Sequence, residues 1–179
     1  MLTKETEEQF SKGNRQAFDA VYAAFSAAMF GVCLRYTRCQ DDAQDVLQEA
    51  FIRVYKHCDQ YSPEKPLAAW IKTITINAAL SYIRKNYRFE LHEEEEFFDG
   101  QQELTFEAED RELLKTKLLQ VLNRLPDGYR TVFNLFVIEN LTHKEIAEYL
   151  SISENTSKTQ FFKAKKMILS LLEVPTDKV

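Results

Sequence analysis

The chain has 179 residues, 45% of them apolar, and a formal net charge of −5. That apolar content can bury one or two small cores, while only four glycines and four prolines argue against a turn-rich β protein. Cys33, Cys39 and Cys58 are odd in number and form no C-x-x-C pair, so neither a disulfide framework nor a metal site is indicated. Met1 to Phe10 is too polar for a signal peptide, and no apolar run reads as approaching the ~20 residues of a membrane span. A cytoplasmic protein with no cofactor and no membrane insertion is expected.

Asn14 to about Arg38 carries a dense apolar helical pattern, with Phe18, Tyr22, Phe25, Met29, Val32 and Cys33 on neighbouring faces, and suits the central helix of a bundle. Asp41 or Asp42 is expected to cap a second helix running to about His57, in which Ala43, Leu47, Ala50, Phe51 and Val54 make the buried stripe. Asp45, Gln48, Glu49, Ile52 and Arg53 face away from that stripe. An isoleucine amid charges marks this face as a candidate docking surface. Pro63 and Pro66 impose an ordered, non-helical loop on Asp59 to Pro66. A third helix, Leu67 to Lys85, is apolar nearly all round except along one line. Trp70, Thr73, Asn77 and Arg84 place a ring, a hydroxyl, an amide and a guanidinium on a single edge, a set suited to unpaired bases. The plainer reading is a core tryptophan with incidental polar neighbours.

From Asn86 to Asp110 the periodicity fails, and the block Glu93 to Glu96 reads as part of a flexible tether, although Phe97, Phe98, Leu104 and Phe106 could dock on a partner. Leu114, Leu118, Val121 and Leu122 mark a helix from about Arg111 to Arg124. Leu125-Pro126-Asp127-Gly128 breaks it before another helix bearing Tyr129, Val132, Phe133, Phe136 and Val137. Thr142 and Glu145 form a capping box for a short helix with Ile146, Ala147 and Leu150 on one face. After the turn Ser151-Ile152, Ser153 caps a last helix whose stripe is Phe161, Ala164, Ile168 and Leu171. Asn155, Thr159, Phe162 and Lys166 lie opposite, flanked by Lys158, Lys163 and Lys165. A basic face carrying an aromatic ring suits a DNA major groove, so the pair reads as a helix-turn-helix. The plainer reading is a helical hairpin with a solvated face.

Divided by region, the charge fits this reading. Residues 1–88 hold 12 Lys/Arg against 10 Asp/Glu, residues 89–110 hold none against 10, and residues 111–179 hold 11 against 8. The fold class expected is all-α: two small helical domains, 1–88 and 111–179, joined by a flexible acidic linker at 89–110, with the helix-turn-helix in the second.

These blocks, in this order, resemble the extracytoplasmic-function type of RNA polymerase sigma factor over almost the whole chain. Asp42 to Tyr55 is similar to that family's polymerase-binding helix, Trp70 to Asn77 with Ser81 to Lys85 to its promoter-melting helix, and Leu125 to Arg130 with Thr142 to Lys166 to its C-terminal reader. The resemblance implies that Asp45, Gln48, Glu49, Ile52 and Arg53 contact the clamp coiled coil of core RNA polymerase. It implies that Lys56, Tyr61, Ser62, Lys65, Trp70, Lys72, Thr73, Asn77 and Arg84 hold the opened strand of the minus-ten element, where a base flipped from the stack enters a pocket. It implies further that Thr156, Lys158, Thr159, Phe162, Lys163, Lys165 and Lys166 read the minus-thirty-five element, that an anti-sigma factor controls the chain, and that the chain itself catalyses nothing. Three residues depart from the family pattern: Ser151 where glycine is usual, Ser81 where aspartate is frequent, and Ser157 where an apolar residue is common. The alternative is a helix-turn-helix repressor or activator acting without polymerase. A nuclease using Glu93 to Glu96 as metal ligands is disfavoured because such ligands need a rigid frame.

Overall fold

A computed structural model describes residues 2–86 and 119–173, and the regular structure among them is helical. The chain divides into two compact units, Met1–Arg88 and Phe89–Val179. The stretch expected to be an acidic tether, 89–110, lies outside the described residues, as do Leu114 and Leu118.

The first unit opens with a helix that the sequence pattern does not signal, α1 (Lys4–Ser11). The Thr3 hydroxyl accepts the Thr6 N–H at 3.2 Å, and Glu5 and Glu7 sit in the first turn, where the helix dipole favours acid. Gly13, at φ +78°, reverses the chain, and the Asn14 side chain accepts the Ala17 N–H at 3.0 Å to start α2 (Arg15–Tyr36). By length and composition the 22-residue α2 does meet the requirement for a membrane span, with mean hydropathy 1.7 over its most apolar 18 residues. Much of that run is alanine, which a search for large apolar side chains passes over. In this fold Val21, Met29, Val32, Cys33 and Tyr36 of α2 are buried, with α3 (Gln40–Lys56) and α4 (Leu67–Asn86) packed on it.

The cap of α3 is Cys39, not Asp41 or Asp42: its Sγ accepts the Asp42 N–H at 3.4 Å. Both aspartates instead lie in the first turn, facing the positive end of the dipole. The stripe Ala43, Leu47, Ala50, Phe51 and Val54 is buried as expected, joined by Val46. Each large apolar side chain of this kind contributes roughly 1.5–3 kcal/mol when fully removed from water. A 3-10 turn, Cys58–Gln60, leads into the proline loop.

In the second unit the described end of the preceding helix, α5 (residues 119–124), is followed by α6 (Asp127–Phe133), a π-helical turn (Asn134–Ile138), α7 (His143–Leu150) and α8 (Glu154–Glu173). Val121, Leu122, Leu125, Phe133, Ala164 and Ile168 form the core, with Tyr129, Phe161, Met167 and Leu171 packed against it. The π turn changes the register expected of a continuous α-helix. Val137, expected on the apolar face, is therefore 49% exposed, while Asn134 and Leu135 are buried. At the head of α6 the buried Arg130 guanidinium donates to Asp127 at 2.6 Å. Gly128 leaves room for the side chain of buried Gln160, whose Oε1 would stand 2.9 Å from an added Cβ.

Candidate functional sites

The outer face of α3 is open as its pattern requires: Asp45, Gln48 and Glu49 are exposed, and Ile52 is 48% exposed. Arg53 donates from Nε to Glu49 Oε1 at 2.8 Å, an i,i+4 pair that aligns both side chains along the helix. Beside Ile52 lies a feature that sequence reasoning misses. Phe18, Tyr22, Gln48, Phe51, Ile52, Tyr55 and Lys56 line an open pocket of about 420 Å³. Its walls are edge-on aromatic pairs, Phe18 with Tyr55 at 5.0 Å and Tyr22 with Phe51 at 4.8 Å between ring centroids, a favoured packing geometry. Tyr22 and Tyr55 keep 38% and 43% of their surface open. The signal is present in the sequence as two aromatic i,i+4 pairs, 18/22 and 51/55. Helical periodicity groups Phe18 and Tyr22 with the core positions, and the family resemblance groups Lys56 with the strand contacts, whereas all three line this pocket.

The second site is the edge of α4 beside the proline loop. Trp70 and Asn77 are half-buried there, and Thr73 and Arg84 are exposed. At ~100° per residue these four fall on one side of the helix. Lys72 does not join them: it falls on the side carrying Ile76, Ala79 and Ile83, all buried, and is itself half-buried. Ser62 and Lys65 are exposed in the loop. Tyr61, expected to touch the strand, is 4% exposed. Its hydroxyl lies 2.9 Å from both Glu7 Oε2 and the Lys65 carbonyl oxygen, and its ring packs on Phe10 and Trp70. Burial, reinforced by the Glu7 carboxylate, raises this phenol to about 12. Ser81, at the frequent aspartate position, spends its hydroxyl on the Asn77 carbonyl at 2.8 Å.

The third site is the exposed side of α8; α7 and α8 each start at a side-chain cap, and one polar bridge joins them. Thr142 and Glu145 form the reciprocal capping box, and hydrogen bonds from Thr142 hold the Glu145 carboxyl below its usual range. Ser153 Oγ accepts the Thr156 N–H at 2.9 Å and pairs with the Thr156 hydroxyl at 2.8 Å. Between the caps Ser151 adopts φ 56°, ψ 46°, the left-handed conformation that glycine ordinarily supplies. Ser157 is fully buried, its hydroxyl 2.9 Å from His143 Nδ1. The imidazole stacks on Phe136 at 4.4 Å and meets Phe161 at 5.7 Å. Burial first, then the Lys158 charge, lowers the His143 pKa, with Glu154 opposing.

On the outward side Asn155, Lys158 and Lys166 are exposed, and Thr156, Thr159, Phe162, Lys163 and Lys165 are half-buried. Lys158 is paired with Glu154 at 2.7 Å, an exposed contact that a phosphate can replace at little cost. Lysine thus recurs at 158, 163, 165 and 166, on one helix presented beyond a second, and the arrangement can bind duplex backbone and reach base edges. Among the described residues no group of His, Cys, Asp or Glu is arranged to hold a metal ion.

Residues 21–89 match the family model for Sigma-70 region 2, and residues 115–168 that for Sigma-70, region 4. The chain is 27% identical over 187 residues to the RNA polymerase sigma-H factor of Pseudomonas aeruginosa, covering 97% of each. It is 28% identical over 184 residues to the ECF RNA polymerase sigma factor SigW of Bacillus subtilis, covering 94% of this chain and 95% of that one. The fold is similar to CnrH in its complex with the cytosolic domain of CnrY, with TM-score 0.53, 22% identity and coverage of 97% and 98%. It is also similar to the sigma factor RpoE of Bartonella quintana in complex with the anti-sigma factor NepR, with TM-score 0.52, 20% identity and coverage of 88% and 98%.

Proposed function

Because the chain belongs to the extracytoplasmic-function sigma factors, whose regions 2 and 4 it carries in order, we propose a division of labour between its two units. The first, residues 1–88, docks on core RNA polymerase and melts the minus-ten element. The second, residues 111–179, grips the minus-thirty-five element as duplex, and residues 89–110 link them. The observation that carries this reading is the coexistence in one chain of an open α3 face with its pocket and a lysine-bearing helix-turn-helix face.

The docking residues are Asp45, Gln48, Glu49, Ile52 and Arg53, and the pocket between Phe18, Tyr22 and Tyr55 takes an apolar side chain from the clamp coiled coil. Apolar anchors in a pocket with a charged rim suit a contact that must be specific and reversible. Ser62, Lys65, Trp70, Thr73, Asn77 and Arg84 receive the opened strand. Thr156, Lys158, Thr159, Phe162, Lys163, Lys165 and Lys166 address the upstream duplex. The chain brings no catalytic group of its own; polymerase does the chemistry, in the cytoplasm where it resides. An anti-sigma factor is the natural regulator, by analogy with the RpoE complex, and would compete for the α3 pocket. A stand-alone repressor has no use for a region 2 unit with a docking face.

Binding to core tests the docking half directly. Purified full-length chain should co-elute with core polymerase, and Ile52→Glu should abolish co-elution while leaving helical content intact. Wild-type retention of the variant would remove the α3 pocket from the interface.

A further inference from the structure

The loop 61–66 carries the strand-holding role in the reading above, yet two prolines and a short turn do not by themselves fix its shape. What fixes it comes from α1, outside the matched family region, which begins at residue 21. The Tyr61 hydroxyl sits 2.9 Å from the Lys65 carbonyl oxygen, tying the first residue of the loop to its fifth, and 2.9 Å from Glu7 Oε2 on α1. Its single proton is shared between the two, with the carboxylate the stronger acceptor. The Lys65 N–H closes the turn onto the Ser62 carbonyl at 3.0 Å.

Three rings from three elements meet beneath this network. Phe10 of α1, 1% exposed, lies 6.0 Å from Tyr61 and 6.1 Å from Trp70, and Tyr61 lies 5.5 Å from Trp70. Trp70 is left half open on the edge it shares with Asn77. The α1 helix therefore braces both the loop and the tryptophan that would stack on an unpaired base.

We propose that α1 is a strut for the strand-capturing loop, with Glu7, Phe10 and Tyr61 as positioning residues for promoter opening that touch no nucleic acid themselves. A site that receives a flipped base gains affinity when its shape is held before binding. The inference rests on the assignment of loop 61–66 and the Trp70–Asn77 edge to the opened strand.

The test uses holoenzyme made with the full chain on a promoter it selects. Three quantities are measured: affinity for core, permanganate reactivity of unpaired thymines, and affinity for a pre-opened template with and without an abasic site at the captured base. Tyr61→Phe keeps the packing volume, removes the shared proton and should lower opening about tenfold, the order of one charge-assisted hydrogen bond. Glu7→Gln, which keeps an amide acceptor but loses the charge, should lower it by a smaller factor. Affinity for core should be unchanged, and the penalty for the abasic site should shrink toward nothing, because an unbraced loop no longer gains from the base. Phe10→Leu should act in the same direction. Opening at wild-type level in Tyr61→Phe and Glu7→Gln, alongside a defect in Lys65→Ala and Asn77→Ala, overturns the strut alone. Equal losses on normal and abasic templates reduce α1 to a general stabiliser and also overturn it. Full opening by Lys65→Ala and Asn77→Ala removes the strand-holding assignment and the strut with it.

Discussion

His143 joins the two helices of the reader through one short contact, Nδ1 to the Ser157 hydroxyl at 2.9 Å. The arrangement sets the sign of a pH dependence. Burial and the Lys158 charge disfavour the imidazolium in the folded chain, so the folded pKa lies below the unfolded value of about 6.5. Between those two values the unfolded chain binds the extra proton, and stability is lost as pH falls through that window; above about 6.5 the contribution is fully present. An NMR titration of the imidazole, assigned among the three histidines with His143→Asn, should give a midpoint below 6.5. A midpoint at or above it contradicts the account.

Single residues are also where the sequence is hardest to read. Ser157 resembles a weak point in an apolar stripe because its partner lies 14 residues away and is brought to it only by the turn between helices. Ser151 adopts a conformation that costs an L-residue roughly 1–2 kcal/mol, a cost visible only in the backbone angles. The family resemblance assigns Tyr61 to the strand, whereas here α1 folds over it. The same resemblance groups Lys72 with Trp70, although their helical positions lie about 160° apart.

Among elements, α7 and α8 are legible because caps and stripe are local signals: the Thr142–Glu145 box, the Ser153 cap and the spacing of Ala164 and Ile168 all occur as expected. Short, polar α1 is not legible. Eight residues do not sustain a helix alone in water, and this one exists because Phe10 inserts beneath Tyr61 and Trp70. The start of α3 misleads for a different reason: thiols rarely cap helices, so the aspartates behind Cys39 are the stronger candidates by residue type. The exposed side of α8 has its own consequence. Lys158→Ala with Lys163→Ala should weaken binding of holoenzyme to the upstream element and reduce the slope of log affinity against log salt by about two, one for each phosphate no longer neutralised. An unchanged slope would show that these lysines do not contact phosphate.

For the whole molecule, the division into two units is readable from charge and periodicity together, since a net negative chain is basic in both flanking segments and acidic only at 89–110. The pocket beside Ile52 is not readable, because it forms where α2 and α3 meet and neither helix carries it alone. Its position on the unit that also bears the Trp70 edge would link polymerase docking and strand capture within one small bundle. On the proposed division of labour, two tasks of initiation then share that bundle, and the upstream grip falls to the other unit.

Transcription in vitro tests this most directly. Core polymerase with the purified chain should initiate from a promoter in a genomic fragment library that core alone ignores, and Ile52→Glu should abolish that initiation. No initiation on any fragment by a chain that binds core would contradict the account.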